Sequence, residues 1–392
     1  MRADAVLNEL IQYQREAKTV LYFVGGIVRD FYLDRSTDDI DLTFDGSATE
    51  LAEYLSERGL NVFLSEHETL KFDTVDGYHF DIATMRHEWY ESGALHQEPS
   101  GIDLDLRRRD FTVNTAYAVL NPMTLTNEKG EWTLYQCHPL FRHDLACGQI
   151  RVLHEASFRE DPTRLFRAVK LSLQLDFDIE LKTEVLMRNA FQSGYDKRIS
   201  NGQMRILLER LFSYVDAARG IMKLNELGWT AVKQGVKDLE NDYLSSLNMS
   251  EEDQIRILMA RCFIEKMEWL YSLYPQLSKL HQAYLKIHES LALFLNNPEK
   301  NDYMLFKILY NKKVEILELL SVNYEDAVKR YRENLLKYAI HLNGDILKGQ
   351  GVQSGRGMGL ILERLQEEKI NNRLQMTLED EIKYIERFKD EY

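Results

Sequence analysis

The 392-residue chain has only three cysteines, Cys137, Cys147 and Cys262. Their spacing matches neither a metal-binding set nor a disulfide framework, and reduced cytosol is the simplest compartment for them. Six prolines and 20 glycines are too few for a collagen-like or linker-dominated chain. No run approaches the roughly 18 apolar residues of a membrane span. The opening MRADAVLNELIQYQREAKTV has no apolar core of the kind a signal peptide needs, so no secretion leader is expected. Positive charge is also short. A net charge of -14 excludes a chain-wide basic footprint for nucleic acid, and any phosphate site must be a local basic pocket. What remains is 44% hydrophobic, 29% charged and 11% aromatic, a globular composition whose length predicts two or three modules.

The two halves read differently. Between Leu21 and about Leu120, short β-like runs (LYFVG, DIDLTF, NVFLS, TLKFDTV, YHFDIATM) alternate with helix-like stretches such as Ala48 to Arg58. Asp76-Gly77 separates two of these runs, a strong hairpin signal. The expectation is an α+β head built on a mixed sheet. From about Phe158 onward, apolar residues recur at helical spacing, so an all-α region follows. The glycine-rich stretch Gly344 to Gly359 reads as a loop between a helical body and a helical tail.

The most informative segment is LYFVGGIVRDFYLDRSTDDIDLTF. A strand ends at Gly25-Gly26 and a helix carrying Arg29 begins there. Adjacent glycines let backbone approach a phosphate, and helix N-terminal amides favour anions. Asp39 and Asp41 stand two apart on the next strand and therefore share a face. Two carboxylates so placed, beside a phosphate-binding turn, can hold Mg²⁺ for phosphoryl or nucleotidyl transfer. Taken alone, Asp41 could equally be a solvated edge-strand residue.

GGIVRDFYLDRSTDDIDLTF resembles the catalytic signature of the tRNA nucleotidyltransferase and bacterial poly(A) polymerase family, class II of the polymerase-β-like nucleotidyltransferases. RRRDFTVNTAY (Arg107 to Tyr117) and IRVLHEASFREDPTRLFRAVK (Ile150 to Lys170) are similar to later motifs of that family, in its order. The resemblance implies that Asp39 and Asp41 bind the catalytic metals, with Mg²⁺ as cofactor. It makes Asp81 a candidate third catalytic carboxylate. Gly25, Gly26, Arg29, Arg108, Arg109, Asp110 and Asn114 are then expected at the nucleotide's phosphates and ribose. Asp161 and Arg164 would read the Watson–Crick edge of C or A, on a helix expected to start at Pro162, with Arg167 in support. Arg86, Glu88, Trp89 and Tyr90 match the start of a flexible loop extending to Leu106.

The implied organisation is a catalytic head at 1–150, a neck with the nucleobase-binding helix at 151–220, a body at 221–340 and a tRNA-contacting tail at 341–392. Lys348, Arg356 and Arg364 are candidate RNA contacts. The implied activity is addition of all or part of the 3′-terminal CCA of tRNA from CTP and/or ATP, in the cytoplasm, with no membrane role and no protein partner inferable. Enzymes adding only CC or only A, and a poly(A) polymerase, remain open. The acidic ending IERFKDEY lacks the basic extension typical of the last. Two motifs depart from the family. CHPLF (Cys137 to Phe141) stands where a DPFGG-like turn is usual, and Gly202-Gln203 stand where a Glu-Arg pair is expected. Both departures question head–neck coupling and neck-helix geometry. The cluster Cys137, His138, His143, Cys147 and His154 fits no standard zinc spacing.

Overall fold

A computed structural model of the chain describes residues 1–65, 68–91, 94–121, 134–136, 138–213, 217–229 and 251–388. The chain divides into two units, Met1–Trp229 and Thr230–Tyr392. The first unit holds the mixed sheet and the second is helical, the α+β head and all-α remainder expected from the sequence. Head and neck residues fall together in the first unit, which runs past position 220 to Trp229.

The sheet of the first unit follows from alternating burial. In β1 (Leu21–Val24), Leu21 and Phe23 are buried. In β2 (Asp39–Phe44), Ile40, Leu42 and Phe44 face the core and leave Asp39 and Asp41 on the opposite face. β3 (Phe63–Leu64), β4 (Thr69–Asp73), β5 (His79–Thr84), β8 (Ala116–Val119) and β9 (Leu134–Gln136) complete it, in the order β3-β4-β5-β2-β1-β8-β9. β4 and β5 form the antiparallel hairpin expected around Asp76-Gly77, with Gly77 at φ +89°. β2 and β5 run parallel, in a register that sets Asp41 beside Asp81. Helices α1 (Ala3–Ala17) and α3 (Ala48–Glu57) bury Val6, Leu10, Leu51 and Leu55, and α3 packs on β4 and β5. Ser47 starts α3 by accepting from the Glu50 amide.

Three local expectations need correction. The segment from Arg86 is an antiparallel hairpin rather than a loop, formed by β6 (Arg86–Glu91) and β7 (Ala94–Pro99) and followed by helix α4 (Ile102–Arg107). Trp89 stacks on His96 across the strands, a cross-strand pair of the kind that stabilises a two-stranded ribbon, and on His87 along its own strand. The helix expected from Pro162 begins at Arg164 (α7, Arg164–Leu175). The Asp161 carboxylate accepts from the Thr163 amide at 3.0 Å and hydroxyl at 2.6 Å, holding the preceding residues in a turn. Gly344 to Gly359 is mostly helix, Gly344–Gly349 and the start of Arg356–Asn371. Asn343 caps the first by accepting from the Asp345 and Ile346 amides, and Leu347 and Met358 are buried in the local core.

After β9 the first unit adds α5 (Phe141–Cys147), β10 (Gln149–Ile150), α6 (Ser157–Glu160), β11 (Asp178–Ile179), α8 (Leu181–Gln192), α9 (Asn201–Phe212) and α10 (Ala217–Glu226). Where the family's Glu-Arg pair is missing, Ser200 and Gln203 form a reciprocal capping box that starts α9. In the second unit, helices such as Leu277–Asn296, Val314–Arg330 and Arg356–Asn371 bury their apolar stripes. Among the described residues, no helix is long and apolar enough to cross a membrane.

Candidate active site

The strand-to-helix turn is built for close approach. Gly25 has φ +71° and ends β1, and α2 (Gly26–Tyr32) follows. A Cβ on Gly25 would sit 3.2 Å from Asp41 Oδ2 and 3.6 Å from Arg109 Nη1, so glycine keeps this space open. Beside it lies a cavity of about 930 Å³, lined by Gly26, Asp39, Asp41, Asp81, Arg109 and Asn114 from the sheet side. Arg167 and Lys170 of α7 and Arg210 of α9 line it from the helices. Such a volume is at the upper end of ordinary small-ligand sites.

The carboxylates come together as the β2 spacing and the β2–β5 register require. Burial pushes the Asp41 carboxyl above its ordinary range. Arg109 opposes this, Asp81 and Asp39 reinforce it, and Lys71 opposes it again. Asp81 is not alone: it forms an ion pair with Lys71 of β4, its cross-strand partner. The donor set suits a hard divalent cation, since Asp39 and Asp41 offer carboxylate oxygens and a cation relieves the cost of keeping Asp41 charged. Among the described residues, no group of three or more His, Cys, Asp or Glu side chains forms a closed metal cage.

The arginines of RRRD divide. Asp105, fully buried on α4, anchors both Arg108 and Arg109. Arg108 donates to it at 2.9 and 2.6 Å and Arg109 at 3.0 Å. Burial works to raise the Asp105 carboxyl, and Arg109 and Arg108 outweigh it, holding it below the usual range. Arg108 also faces Glu88 at 3.6 Å and is absent from the cavity wall. Arg109 lines the cavity, and its Nε is buried with no hydrogen-bond partner, a donor kept for something else.

A chain of polar contacts links the turn to α7. The buried Arg29 donates to both Asp30 oxygens at 2.8 Å and to Asn114 Oδ1 at 2.8 Å. Asn114 Nδ2 donates to Asp110 Oδ1 at 2.9 Å, as does the Phe111 amide. Asp110 Oδ2 pairs with Arg167 at 2.7 Å. Burial works to raise Asp110, but Arg167, Asn114 and Arg164 prevail and lower it. Arg29 is therefore occupied within the protein, and its guanidinium orients Asn114. Asp161 and Arg164 lie 3.9 Å apart, and neither lines the cavity. Arg164 donates to Ser157 Oγ at 2.8 Å and to the Arg108 carbonyl at 2.7 Å.

Sequence reasoning missed Asp30, Lys71, Asp105 and Asp144. For Lys71 the signal misled: a two-residue turn at Asp76-Gly77 would pair Phe72 with Asp81, whereas the observed register is shifted by one and sets Lys71 opposite Asp81. Asp144 answers the departure at CHPLF, of which Cys137 lies outside the described residues. Fully buried, Asp144 accepts from Thr112 Oγ1 at 2.6 Å and Arg151 Nε at 2.9 Å, and Arg151 reaches Glu180 at 3.0 Å. The RRRDFT segment is thus tied to β10 and α8 without the usual turn.

The poly(A) polymerase head domain family matches residues 21–130. Over that segment the chain is similar to the heads of the tRNA nucleotidyltransferase and poly(A) polymerase family. The A-adding tRNA nucleotidyltransferase of Geobacter sulfurreducens is 37% identical over 236 residues, 57% of this chain and 25% of its own length. That of Aquifex aeolicus is 29% identical over 391 residues, 89% of this chain and 45% of its own. The chain thus spans from a quarter to under half of these two curated relatives. The Thermotoga maritima CCA-adding enzyme complexed with tRNA shares the fold, with TM-score 0.71 at 24% identity, over 98% of this chain and 95% of that one.

Proposed function

We propose that the chain is a tRNA nucleotidyltransferase that adds part or all of the 3′-terminal CCA from CTP and/or ATP, without a nucleic-acid template. The observation that carries this reading is the cavity in which the Asp39–Asp41 face, the Gly25 turn and the unpartnered Arg109 Nε converge. The names of the Geobacter and Aquifex relatives favour addition of A alone as a second reading. The family depends on divalent metal, and we assign Mg²⁺, held by Asp39 and Asp41. When bound, the ion polarises the α-phosphate and activates the attacking 3′-hydroxyl.

The protein's own groups do the rest. The Gly25 turn leaves backbone accessible to phosphate. Arg109, aimed by Asp105, donates from its spare Nε to a phosphate oxygen. Asn114, oriented by Arg29, and Asp110 face the ribose. Arg167, Lys170 and Arg210 give the helical wall a positive face for a polyanion. Asp161 and Arg164 are assigned to the base by the resemblance of EDPTR to the family's motif; both lie outside the cavity wall, and Arg164 must release Ser157 or the Arg108 carbonyl to do so. The second unit contacts tRNA. A cytoplasmic setting belongs to this reading and agrees with free thiols at Cys147 and Cys262.

The test uses three transcripts of one tRNA, ending at the discriminator base, at C or at CC, each incubated with CTP, ATP or both. Products one to three nucleotides longer support the reading, and extension of the CC transcript alone selects A addition. Long homopolymeric tails would make the chain a poly(A) polymerase, and no extension on any transcript overturns the proposal. Asp39→Asn and Asp41→Asn should each slow incorporation about 100-fold or more while leaving RNA binding intact, since metal assistance is worth several kcal/mol.

A further inference from the structure

Lys71 is the only lysine on the described strands of the seven-stranded sheet. Its neighbours Leu70 and Phe72 are buried, so Lys71 points to the opposite face, the one bearing Asp39, Asp41 and Asp81. Register places Lys71, Asp81 and Asp41 side by side on three adjacent strands. The ammonium is bonded to Asp81 Oδ2, and the side chain is about half-exposed at the cavity edge.

We propose that Lys71 is a tethered cation that neutralises Asp81 and thereby sets how tightly a divalent metal binds at Asp39 and Asp41. This inference rests on the metal-dependent reading given above. Three carboxylates on one face would bind a divalent ion strongly but repel one another when it leaves. A lysine on the outer strand removes one negative charge from the sum and occupies an oxygen that the ion could otherwise recruit. The charges of both Lys71 and Asp81 are already felt at Asp41, in opposite senses. An ordinary surface ion pair would matter little to anything beyond its own strands. Here the carboxylate of the pair stands one strand from the proposed metal-binding carboxylates and holds the Lys71 ammonium from the strand beyond, so the net charge of the pair acts on whatever they hold.

The experiment is calorimetric titration of the full chain with Mn²⁺, at low ionic strength, without nucleotide or RNA. Lys71→Met keeps the stem and deletes the charge. A unit charge roughly 6 Å from a divalent ion, acting through a water-like dielectric, changes affinity by about tenfold. Lys71→Met is therefore expected to bind Mn²⁺ about tenfold more tightly, and Lys71→Arg within about twofold of the parent. Asp81→Asn should weaken binding by leaving the ammonium uncompensated, and Lys71→Met in that background should restore it. If Lys71→Met does not fold, Lys71→Gln carries the same expectation. Unchanged or weaker Mn²⁺ binding by the uncharged variant, or an arginine variant that behaves like it, overturns the proposal. A parent chain that binds no Mn²⁺ overturns both this and the metal assignment beneath it, whereas intact parental binding with unmoved variants overturns this alone.

Discussion

Asp110→Asn isolates one charge at the junction between the RRRDFT segment and α7. Asp110 Oδ1 accepts from the Phe111 amide and from Asn114, and Oδ2 pairs with Arg167. An asparagine can keep its oxygen on the first two donors. Its amide nitrogen then faces Arg167, donor against donor. Arg167 is half-exposed, with 51% of its side chain accessible, so water screens much of that loss. The expected destabilisation is about 1–2 kcal/mol, which is about 2–8 °C in Tm for a unit of this size. Asp110→Ala also orphans the Phe111 amide and Asn114, and should cost about 3–4 kcal/mol.

The pH dependence supplies a sharper check. The folded carboxyl of Asp110 is depressed below the unfolded value of about 3.9. Its ionisation therefore contributes stability that is present above about pH 4 and lost as pH falls through the folded pKa. The gap between parent and Asp110→Asn should be constant near neutrality and close below pH 4. Amide hydrogen exchange across 102–119 during urea unfolding measures this for the first unit alone. A variant as stable as the parent at pH 7, or a deficit that persists undiminished into acid, would refute the reasoning.

Asp161→Ala should change which of the four triphosphates is incorporated while moving the melting temperature little, because Asp161 is about one-third exposed and its local bonds hold only a turn. Arg164→Ala should lose base discrimination by about 5- to 150-fold and melt lower as well, since its guanidinium bonds Ser157 and Arg108; wild-type base preference in both variants, by single-nucleotide incorporation, would exclude base reading. In the second unit, Glu381 is fully buried against Lys369, His341 and the Leu342 amide. Burial works to raise its pKa and these partners lower it, so its stabilisation holds above about pH 4.3 and is lost on acidification. Glu381→Gln should cost about 3–5 kcal/mol at neutral pH by leaving Lys369 buried without its counter-charge, and should flatten the acid limb of a melting series. Lys279, Lys312 and Lys313 line one groove of the second unit; replacing all three with Glu should weaken tRNA binding and reduce the slope of log affinity against log salt by about 2–3, and an unchanged slope would place the RNA elsewhere.

Relations within an element were legible from the sequence because they depend on a fixed period. The strand period of two put Asp39 and Asp41 on one face, and a glycine pair after an apolar run located the strand-to-helix turn. Relations between elements were less legible: Asp76-Gly77 located the β4–β5 hairpin, but a two-residue turn there would pair Phe72 with Asp81, and the observed partner of Asp81 is Lys71. Asp105 meets Arg108 and Arg109 at helical spacing, three and four residues on, but that it is Asp105 and not Asp103 that is buried is a tertiary fact. Arg164 shows the same. Its spacing to Asp161 was readable, but the demand from Ser157 and the Arg108 carbonyl is a tertiary fact. The β6–β7 hairpin was read as a loop because the family it resembles has one at that place, whereas the stacking of Trp89 on His96 exists only when the strands pair.

The electrostatics of the cavity reconcile a chain of net charge -14 with the polyanionic substrate proposed above. The strand floor presents Asp39, Asp41 and Asp81, with Lys71 set against the outermost of them. The opposing wall presents Arg167, Lys170 and Arg210 from two helices. These cations are close enough that burial, Arg210 and Arg167 together push the Lys170 ammonium below its ordinary range, though Asp39 opposes them. Like charges held in that way favour an anion between them. A nucleoside triphosphate fits the two surfaces together: its phosphates face the cationic wall, while their approach to the carboxylate floor requires a cation in between. Negative charge elsewhere on the chain keeps nonspecific RNA association low. Discrimination against stray polyanions therefore comes from geometry, because only a ligand that brings or shares a metal can satisfy floor and wall at once.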